Sequence, residues 1–336
     1  MTTSTGSTPS TLPSLSEIEE AAREVARAFG PTPQQEWPML SEVVGTTSWL
    51  KHENHTPVGA FKIRGGLAYV AGLVDSGALE RAGGGTRGLV CATRGNHGQS
   101  LAYAAARHGL ELTIVVPHGN SREKNAAMNA LGARLIEHGD DFQASLEHAA
   151  DLATDRDLHL VPSYDRGLVA GVATYGLELM RAVPDLDAVY VPIGLGSGIC
   201  GLLAARDALD RDVEIVGVVS AHAPAYAESL ASGQAVSAPV STALADGMAC
   251  RTPNAQAFAV MRAKVRRIVR VTDEQVAEAM RVIFATTHNV AEGAGAAAVA
   301  AVLADRDRVR GRTVAAVLSG GNVDSDVFAR VLAGRE

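Results

Sequence analysis

Short apolar runs alternate with alanine-rich helical patterns along most of this 336-residue chain, and this alternation constrains the fold more than any other feature. The apolar runs are short, and turn-forming residues bound them, which is typical of buried strands. We predict strands at 88–92, 111–117, 188–193, 214–220 and 313–318, and helices at 100–108, 124–131, 142–153 and 273–286. Strands that alternate with helices form parallel sheets through right-handed crossovers, so the predicted fold class is α/β.

The composition favours an α/β enzyme and argues against several other classes of protein. Aromatic residues make up 4% of the chain, glycine occurs 34 times, and the formal net charge is −7. Because basic residues are interspersed with acidic ones, we expect no nucleic-acid partner, and no apolar stretch is long enough to predict a membrane partner. Cys91, Cys200 and Cys250 are far apart in the sequence, which predicts neither disulfides nor a zinc site and favours a cytoplasmic location.

The beginning of the chain differs in composition from the remainder. Residues 1–15 are rich in serine, threonine and proline, without a basic start or an apolar run, and we predict a disordered leader rather than a signal peptide. Ser16 and Glu19 have the spacing of a capping box, which predicts that the first helix begins there.

A lysine follows a predicted turn in residues 57–66, which read PVGAFKIRGG. Pro57 and Gly59 form the turn, and Lys62 then falls at the start of a helix. The positive end of the helix lowers the cost of a neutral amine, and a neutral amine can attack an aldehyde to form a Schiff base. Taken alone, such a lysine is more often a solvated surface residue, so its interpretation depends on the segments that follow.

Residues 91–100, which read CATRGNHGQS, join a predicted strand to an alanine-rich helix. Backbone amides at a helix N-terminus bind carboxylates, and the carboxamide of Asn96 can donate a hydrogen bond to a phenolate oxygen. The alternative is a turn that uses Gly95 and Asn96 only for their left-handed backbone angles.

Residues 192–201, which read PIGLGSGICG, predict an anion site. Closely spaced glycines let backbone N–H groups converge on a phosphate, and the helix that follows adds its dipole. Residues 196–201 also match the GxGxxG pattern of dinucleotide-binding proteins, which makes a nicotinamide enzyme a competing hypothesis. That pattern requires an acidic residue at the end of the next strand, but Ser220, Ala221 and His222 stand there.

Together with residues 317–324, which read VLSGGNVD, these segments resemble the fold type II pyridoxal-phosphate enzymes (the tryptophan-synthase-β-like family). The match is closest to the threonine/serine dehydratases, whose usual segments are PTGSFK, SSGNHxQ, GGGGL and SGGN in the same order. The resemblance extends over residues 51–324 and implies two lobes, each with a mainly parallel sheet flanked by helices. It implies a large cofactor-binding domain (16–85 and 165–336), a small inserted domain (86–164) and a homodimer.

The resemblance also implies roles for individual residues. Lys62 is the expected catalytic residue and carries pyridoxal 5′-phosphate, Asn96 meets the 3′-oxygen of the cofactor, and Ser319 meets its ring nitrogen. The expected cofactor-binding residues are Lys62, Phe61, Asn96, Gly194, Leu195, Gly196, Ser197, Gly198 and Ser319. The expected substrate-binding residues are Thr93, Arg94, Gly95, Asn96 and His97.

Two further expectations concern Glu292 and metal ions. Glu292 fits a Glu-x-x-Gly-Ala segment that lies near the cofactor ring in the family, although a solvated glutamate at a helix end is the alternative. Relatives that bind a divalent cation use carboxylates just after the strand that follows the glycine segment. Residues 218–225 contain no Asp or Glu, so we expect no metal.

Two of these positions narrow the expected reaction. Arg94 replaces a serine that serves as an acid/base in related racemases, and an arginine stays protonated, so two-base racemisation is disfavoured. Arg94 is expected to pair with a carboxylate of the substrate or an acid of the opposite lobe, or else to face solvent. Ser319 does not enforce a protonated pyridine ring, which favours β-elimination over transamination.

The expected activity is therefore that of a pyridoxal-phosphate-dependent ammonia-lyase. It would dehydrate and deaminate a small amino-acid substrate, a β-hydroxy amino acid such as threonine or serine, to a 2-keto acid and ammonia. A lyase for a bulkier or acidic β-hydroxy amino acid (phenylserine or 3-hydroxyaspartate) and a β-replacing synthase are the alternatives. A non-catalytic binding protein would be expected to lose Lys62, which is present. The preferred side chain and stereochemistry of the substrate stay open.

Overall fold

The computed structural model describes residues 12–80 and 84–335, and within these residues ten strands form two sheets. The strands are β1 (Gln34–Glu36), β2 (Ser48–His52), β3 (Leu89–Ala92), β4 (Leu112–Val116), β5 (Arg134–Glu137), β6 (His159–Leu160), β7 (Ala188–Pro192), β8 (Glu214–Ser220), β9 (Ile268–Val271) and β10 (Val314–Leu318). The large sheet has the order β1-β2-β10-β7-β8-β9 and the small sheet the order β5-β4-β3-β6. Every strand pair is parallel except β1–β2, as expected for an α/β fold.

Helices cover both faces of each sheet. They are α1 (Leu15–Ala26), α2 (Pro38–Val44), α3 (Lys62–Asp75), α4 (Asn96–Arg107), α5 (Arg122–Ala130), α6 (Phe142–Asp155), α7 (Arg166–Ala182), α8 (Ser197–Ala208), α9 (Ala225–Ser232), α10 (Ala255–Lys264), α11 (Asp273–Thr287), α12 (Gly293–Ala304), α13 (Arg306–Val309) and α14 (Ser325–Leu332). Short 3₁₀ turns lie at Glu53–His55 and Asp246–Met248. None of the helices in the described part of the chain has the length and apolar character to span a membrane.

Each sheet has its own apolar cores. On the large sheet, α7, α8 and α10 pack against one face, and α11 with the fully apolar α12 packs against the other. On the small sheet, α3 and α4 pack against one face and α6 against the other. The small sheet lies entirely within the predicted small domain, whereas α3, predicted to belong to the large domain, contributes Ile63, Leu67 and Val70 to the small-sheet core. The domain boundaries themselves stay a prediction.

The observed bounds agree closely with the predicted strands. All five predicted strands are present, with each end within one residue of its predicted position. The main difference among the four predicted helices is at α4, which begins at Asn96, four residues before its predicted start at Ser100. Asn96 therefore lies in the first turn of a helix, where backbone N–H groups have no intrahelical acceptor.

The first helix begins two residues before the position that the sequence predicted. Ser14 and Glu17 form the capping box: Ser14 Oγ accepts from the Glu17 amide at 3.4 Å, and the Ser14 amide donates to Glu17 Oε2 at 2.8 Å. The predicted box at Ser16 and Glu19 is wrong, because Ser14 and not Ser16 has the extended backbone of an N-cap residue. Of the predicted leader 1–15, residues 1–11 lie outside the described residues.

Candidate active site

Three of the four segments follow neighbouring strands of the large sheet. The lysine segment follows β2, the segment with Ser319 follows β10, and the glycine segment 194–198 follows β7. These strands are adjacent and parallel in the order β2-β10-β7, so their carboxyl ends lie at the same edge. Ligands of open α/β sheets bind at this edge. The asparagine segment follows β3 of the small sheet and faces the other three.

Backbone hydrogen bonds join the lysine segment to the segment after β10. The Phe61 amide donates to Ser319 O at 3.0 Å, and the Gly321 amide donates to Gly59 O at 2.9 Å. Gly59 has a φ of +68°, and a Cβ there would lie 2.6 Å from Asn322 Oδ1. Only a glycine permits this close approach, so the local chain geometry brings the first residue of α3, Lys62, beside Ser319.

Burial lowers the pKa of Lys62 to about 8, against an opposing influence from the Glu292 carboxylate. The ammonium Nζ lies 5.0 Å from the centre of the Phe61 ring. A lysine with an unperturbed pKa near 10.4 is almost entirely protonated at neutral pH. The environment of Lys62 therefore increases the fraction of neutral amine, which is the form that attacks an aldehyde or accepts a proton.

The hydroxyl of Thr93 holds the asparagine segment in shape. Thr93 Oγ1 accepts from the Gly95 amide at 2.9 Å and from the Gly98 amide at 3.3 Å. Thr93 is buried, whereas the side chain of Arg94 is exposed and no ion pair to it is found within residues 12–80 and 84–335. An acid of the opposite lobe, one of the partners expected for Arg94, is therefore not in contact with it in the described structure.

The carboxamide of Asn96 is fixed by two side chains of the large lobe. Asn96 Nδ2 donates to Glu292 Oε1 at 2.6 Å, and Asn96 Oδ1 accepts from Asn322 Nδ2 at 2.8 Å. Asn322 Nδ2 also donates to Val58 O at 2.8 Å. Since an amide nitrogen carries two hydrogens, Asn96 retains one for an anionic oxygen of a ligand.

His97 contributes a buried ring nitrogen that needs a partner. The side chain is buried, and within the described residues Nε2 has no hydrogen-bond partner. Burial lowers the pKa of His97 to about 3, and the charge of Lys62 adds to this effect, so the ring is neutral at physiological pH. A buried polar atom without a partner costs about 1–3 kcal/mol, which a bound ligand with a polar group would offset.

The glycine segment forms a cradle that leaves no space for side chains at Gly194 and Gly196. A Cβ at Gly194 would lie 2.4 Å from Gly247 O, and a Cβ at Gly196, whose φ is +103°, would lie 2.7 Å from Ala257 Cβ. Tyr226 Oη donates to Leu195 O at 2.9 Å. The Leu195 carbonyl and the Gly196 N–H belong to the same trans peptide and point in opposite directions. The bond from Tyr226 therefore directs the Gly196 N–H away from the tyrosine.

The cradle also lies at the start of a helix and beside the lysine segment. Ser197 is the first residue of α8, so the free N–H groups and the dipole of that helix favour an anion. Tyr175 Oη donates to Gly198 O at 3.0 Å, and a Cβ at Gly198 would lie 3.6 Å from the ring of Phe61. The geometry therefore fits a phosphate within reach of the residues around Lys62.

Ser319 and Glu292 lie close together under the first turn of α12. Ser319 is buried, and Ser319 Oγ is 3.4 Å from Ala294 O, a long contact that leaves the hydroxyl available to a ligand. The Glu292 amide donates to Gly320 O at 3.1 Å. Glu292 is 2% exposed, so it is not a solvated residue at a helix end. Burial raises the pKa of Glu292, while the Lys124 ammonium and the Asn96 amide oppose the rise.

Three further side chains belong to the site although the sequence did not identify them. Asn322 fixes Asn96, Lys124 lies 3.3 Å from Glu292 Oε2 in an ion pair, and Asp246 lies 2.8 Å from Lys124. Lys124 and Asp246 are single charged residues far apart in the chain, and no local pattern indicates that they meet. Asn322 stood within the predicted SGGN segment and could have been selected on that basis.

Together these groups fit pyridoxal phosphate. The site offers the partly buried amine of Lys62, a glycine cradle at a helix N-terminus, a free amide hydrogen on Asn96 and a buried hydroxyl on Ser319. These match an aldehyde, a phosphate, a phenolate oxygen and a pyridine nitrogen, respectively. No group of three or more His, Cys, Asp or Glu side chains that could hold a metal ion occurs among the described residues.

Comparison with known proteins identifies the relatives of this chain. Residues 25–320 match the family described as "Pyridoxal-phosphate dependent enzyme". The chain is 36% identical over 319 residues to the L-threonine ammonia-lyase of Thermotoga maritima, an alignment that covers 95% of this chain and 78% of the relative. The family match contains every strand of the two described sheets and the residues Lys62, Asn96, 194–198 and Ser319.

Two solved structures show the same fold. The processed form of threonine deaminase isoform 2 from Solanum lycopersicum is 26% identical, with a TM-score of 0.84 over 97% of this chain and 96% of that chain. Maize serine racemase is 25% identical, with a TM-score of 0.88 over 96% of this chain and 98% of that chain. The architecture is therefore shared by a threonine deaminase and a serine racemase, so the fold by itself does not select between their activities.

Proposed function

This chain belongs to the pyridoxal-phosphate-dependent enzyme family, and from that premise we propose that it is an ammonia-lyase for β-hydroxy amino acids, with threonine and serine as its substrates. The observation that carries the proposal is the partly buried Lys62 amine with its lowered pKa, placed between a phosphate cradle, the carboxamide of Asn96 and the hydroxyl of Ser319. Threonine would give 2-oxobutanoate and ammonia. The water lost from Cα and Cβ is regained when the enamine product hydrolyses in solution.

Each part of the site would hold one part of the cofactor. Lys62 would hold the aldehyde carbon, the segment 194–198 the phosphate, Asn96 the ring oxygen and Ser319 the ring nitrogen. When bound, pyridoxal phosphate supplies a conjugated system that accepts the electron pair left at Cα after proton removal. Ser319 is a neutral partner for a ring nitrogen, so the electron pair is less stabilised in the ring and prompt loss of the β-leaving group is favoured.

Lys62 is the group proposed to move the Cα proton. Its side chain begins the first turn of α3, and its lowered pKa increases the supply of neutral amine. A general base works best when its pKa is close to the working pH. The substrate carboxylate would bind free backbone amides at the N-terminus of α4, which begins at Asn96.

Arg94 supports elimination over racemisation. A two-base racemase needs a second proton carrier on the opposite face of the substrate, and arginine does not release its proton at working pH. The Thr93 hydroxyl is already bound to the amides of Gly95 and Gly98, so it is not free to serve as that carrier.

A lyase for an acidic β-hydroxy amino acid is the second candidate, and Arg94 is the observation that favours it. Its guanidinium is exposed beside the amides proposed to bind the substrate, and no ion pair to it is found in the described structure. A second carboxylate, as in 3-hydroxyaspartate, would give this charge a partner.

We also propose a cytoplasmic homodimer. Cys91, Cys200 and Cys250 are buried free thiols, which suits a reducing compartment. The dimer rests on the family resemblance, and light scattering during size-exclusion chromatography would measure it.

The proposed function is tested by release of 2-keto acid from a panel of amino acids. The panel contains L-threonine, L-serine, D-serine, phenylserine, 3-hydroxyaspartate and O-acetylserine with a sulfide acceptor. We expect L-threonine or L-serine to give the highest kcat/KM. Release only from 3-hydroxyaspartate would favour the second candidate, and formation of cysteine in place of a 2-keto acid from O-acetylserine and sulfide would identify a β-replacing synthase.

Replacement of Lys62 provides the matched control for this panel. We expect Lys62→Ala to reduce turnover by at least about 10⁴-fold and to remove the visible absorbance of the bound cofactor, because both need the amine. Circular dichroism and the unfolding midpoint should stay those of a folded protein. Normal keto-acid release by this variant would contradict the assignment of Lys62.

A further inference from the structure

The first turn of α5 connects the two lobes across the site. We call residues 121–124 the bridging turn. Ser121 Oγ hydrogen bonds to Asp324 Oδ1, and Glu123 Oε1 accepts from the amide and the hydroxyl of Ser325 at 2.9 and 2.6 Å. Lys124 makes the third connection. Because α5 lies between β4 and β5 of the small sheet, all these contacts join the small lobe to the large one.

Lys124 reaches two carboxylates of the large lobe. The side chain is buried, and its Nζ lies 2.8 Å from Asp246 Oδ2 and 3.3 Å from Glu292 Oε2. Burial alone would lower the pKa of Lys124, but the charges of Glu292 and Asp246 outweigh it and raise the pKa above the usual value. The lysine is therefore a buried cation between two anions that come from separate segments of the large lobe.

The same lysine also contacts the asparagine segment. A Cβ at Gly95 would lie 2.4 Å from Lys124 Cδ, so the carbon chain of the lysine packs directly on that glycine. Glu292, the ion-pair partner of Lys124, accepts a hydrogen bond from Asn96 through its other oxygen at 2.6 Å. Lys124 thus contacts the segment directly at Gly95 and indirectly, through Glu292, at Asn96.

The charge of Lys124 matters for the orientation of Asn96. The Asn96 amide donates to Glu292 only if that carboxylate oxygen is free of a proton. Without Lys124, burial and the nearby Asp246 would both favour protonation of Glu292. A protonated Glu292 could donate its hydroxyl hydrogen to Asn96. That bond would compete with the carboxamide orientation that Asn322 now stabilises.

We propose that Lys124 is a positioning residue that couples the docking of the small lobe on the large lobe to the orientation of the Asn96 carboxamide. The inference rests on the proposed function only in that it assigns Asn96 to the ring oxygen of the cofactor. Its consequence is that cofactor affinity and substrate turnover both depend on a lysine that need touch neither molecule.

A double-mutant cycle between Lys124 and Glu292 tests this proposal. The variants are Lys124→Met, Glu292→Gln and the two combined, with Lys124→Arg as the conservative replacement. Glu292→Gln keeps an oxygen that can accept the hydrogen bond from Asn96, but it removes the carboxylate and with it the group that could be protonated. If Lys124 acts through Glu292, its replacement should matter much less once Glu292 is already glutamine.

Lys264→Met is the matched control variant. Lys264 also forms an ion pair, at 2.8 Å from Asp207, but its side chain is 39% exposed on α10 and it touches none of the site residues described above. The same charge is removed in both lysine variants, so effects of net charge cancel in the comparison.

Three quantities are measured: the dissociation constant of pyridoxal phosphate, kcat/KM for the best substrate, and hydrogen exchange of residues 93–99 and 121–126 in the cofactor-free protein. For Lys124→Met we expect about tenfold weaker cofactor binding, about 100-fold lower kcat/KM and faster exchange in both segments. In the Glu292→Gln background the same replacement should change cofactor binding by less than about threefold. Lys124→Arg should restore most of the loss.

Two results would overturn the proposal. One is an effect of Lys124→Met on cofactor binding that is equally large with Glu292 and with glutamine at 292, which would indicate an ordinary structural ion pair. The other is a Lys124→Met protein that matches Lys264→Met in all three measurements. The exchange and cofactor-binding measurements need no substrate, so they decide the matter even if no keto acid is released and the proposed function fails.

Discussion

Single residues set the chemistry of this site through burial. Lys62 is an amine whose pKa burial lowers to about 8, and His97 is an imidazole whose pKa burial lowers to about 3. Burial of a cationic acid favours the neutral form in both residues. The consequence is a site in which the lysine can act as nucleophile and base, while the histidine stays neutral.

The lowered pKa of Lys62 predicts how the rate of cofactor incorporation depends on pH. Capture of the aldehyde requires the neutral amine, so the rate constant should fall about tenfold for each pH unit below 8 and level off above it. Stopped-flow absorbance of the cofactor-free protein mixed with pyridoxal phosphate between about pH 6.5 and 9 would measure this. Pyridoxine phosphate, which lacks the aldehyde, is the control ligand, and its binding should not follow the same curve. A rate that stays constant over this range would contradict the prediction.

Arg94 is the residue for which we predict a change of specificity. Its side chain is exposed, so an ion pair with a substrate carboxylate would be screened by water and would contribute about 1 kcal/mol, or roughly fivefold in kcat/KM. We expect Arg94→Ser to lower kcat/KM for 3-hydroxyaspartate by about that factor and to change it for threonine by less than about twofold. Steady-state kinetics with both substrates would measure the difference. Equal effects on both would assign Arg94 to the α-carboxylate, and no effect on either would assign it to solvent.

The residues that a local motif specifies could be predicted from the sequence, and those that a distant partner specifies could not. Lys62, Asn96 and Ser319 stand in short segments next to turns and strand ends, and the structure brings these segments together. Lys124 meets Asp246 across 122 positions of the chain, and neither residue lies in a recognisable pattern. Their roles come from tertiary contacts alone.

At the level of secondary structure, a buried network of charges fixes the helix that carries Lys62. Arg64, in the first turn of α3, binds Glu53 at 2.7 and 3.0 Å and Glu178 at 2.7 and 2.9 Å. Lys51, on β2, also binds Glu178, at 2.6 Å. Arg64, Glu53 and Lys51 are fully buried. The network therefore joins β2, the 3₁₀ turn at Glu53–His55, α3 and α7, and it fixes the helix turn from which Lys62 extends.

This network also explains why β2 was not predicted. The strand reads SWLKH, and the adjacent polar residues Lys51 and His52 at its end suggest a solvent-exposed segment. In the structure both are buried. Their burial is tolerated because Lys51 forms an ion pair and His52 accepts a hydrogen bond from Trp37 Nε1 at 3.0 Å. Strands with continuous apolar sequences, such as β7 and β10, could be predicted from the sequence. A buried strand with charged residues carries none.

We predict that replacement of Arg64 strongly destabilises the fold. Arg64→Met leaves Glu53 buried without its cation, and loss of one partner of a buried pair costs about 3–5 kcal/mol. Arg64→Lys should also be destabilising, since a lysine cannot make the two bidentate contacts. Urea unfolding monitored by circular dichroism would measure both free energies. Arg330→Met, which removes an exposed i,i+4 ion pair with Asp326, is the control and should have little effect. An Arg64→Met protein as stable as this control would contradict the prediction.

At the level of the whole molecule, the order of strands assembles the site from segments that are distant in the chain. β2 and β7 flank β10, so the segments around residues 62, 194–198 and 319 meet at one sheet edge. Sequence order alone predicts parallel sheets, but the order of the strands within a sheet depends on which crossovers pass over which face. The α/β class and the family could thus be predicted from local patterns, whereas the meeting of three segments with the asparagine segment of the small sheet required the structure.

The absence of acidic residues after β8 leads to a prediction for the whole enzyme, namely that divalent cations neither activate nor stabilise it. Residues 218–225 contain no Asp or Glu, and hard cations such as Mg²⁺ and Ca²⁺ require oxygen ligands that usually include carboxylates. Among the described residues no group of three or more His, Cys, Asp or Glu side chains could hold a metal ion. We expect unchanged kcat/KM after dialysis against EDTA and an unchanged unfolding midpoint when either ion is added. An ion that binds only the folded state, present at a concentration 100 times its Kd, would stabilise the fold by about 2.7 kcal/mol. Thermal unfolding detects a change of this size readily. A midpoint that rises with ion concentration, together with activity that chelation removes and the ion restores, would show that ligands from outside this stretch form a metal site.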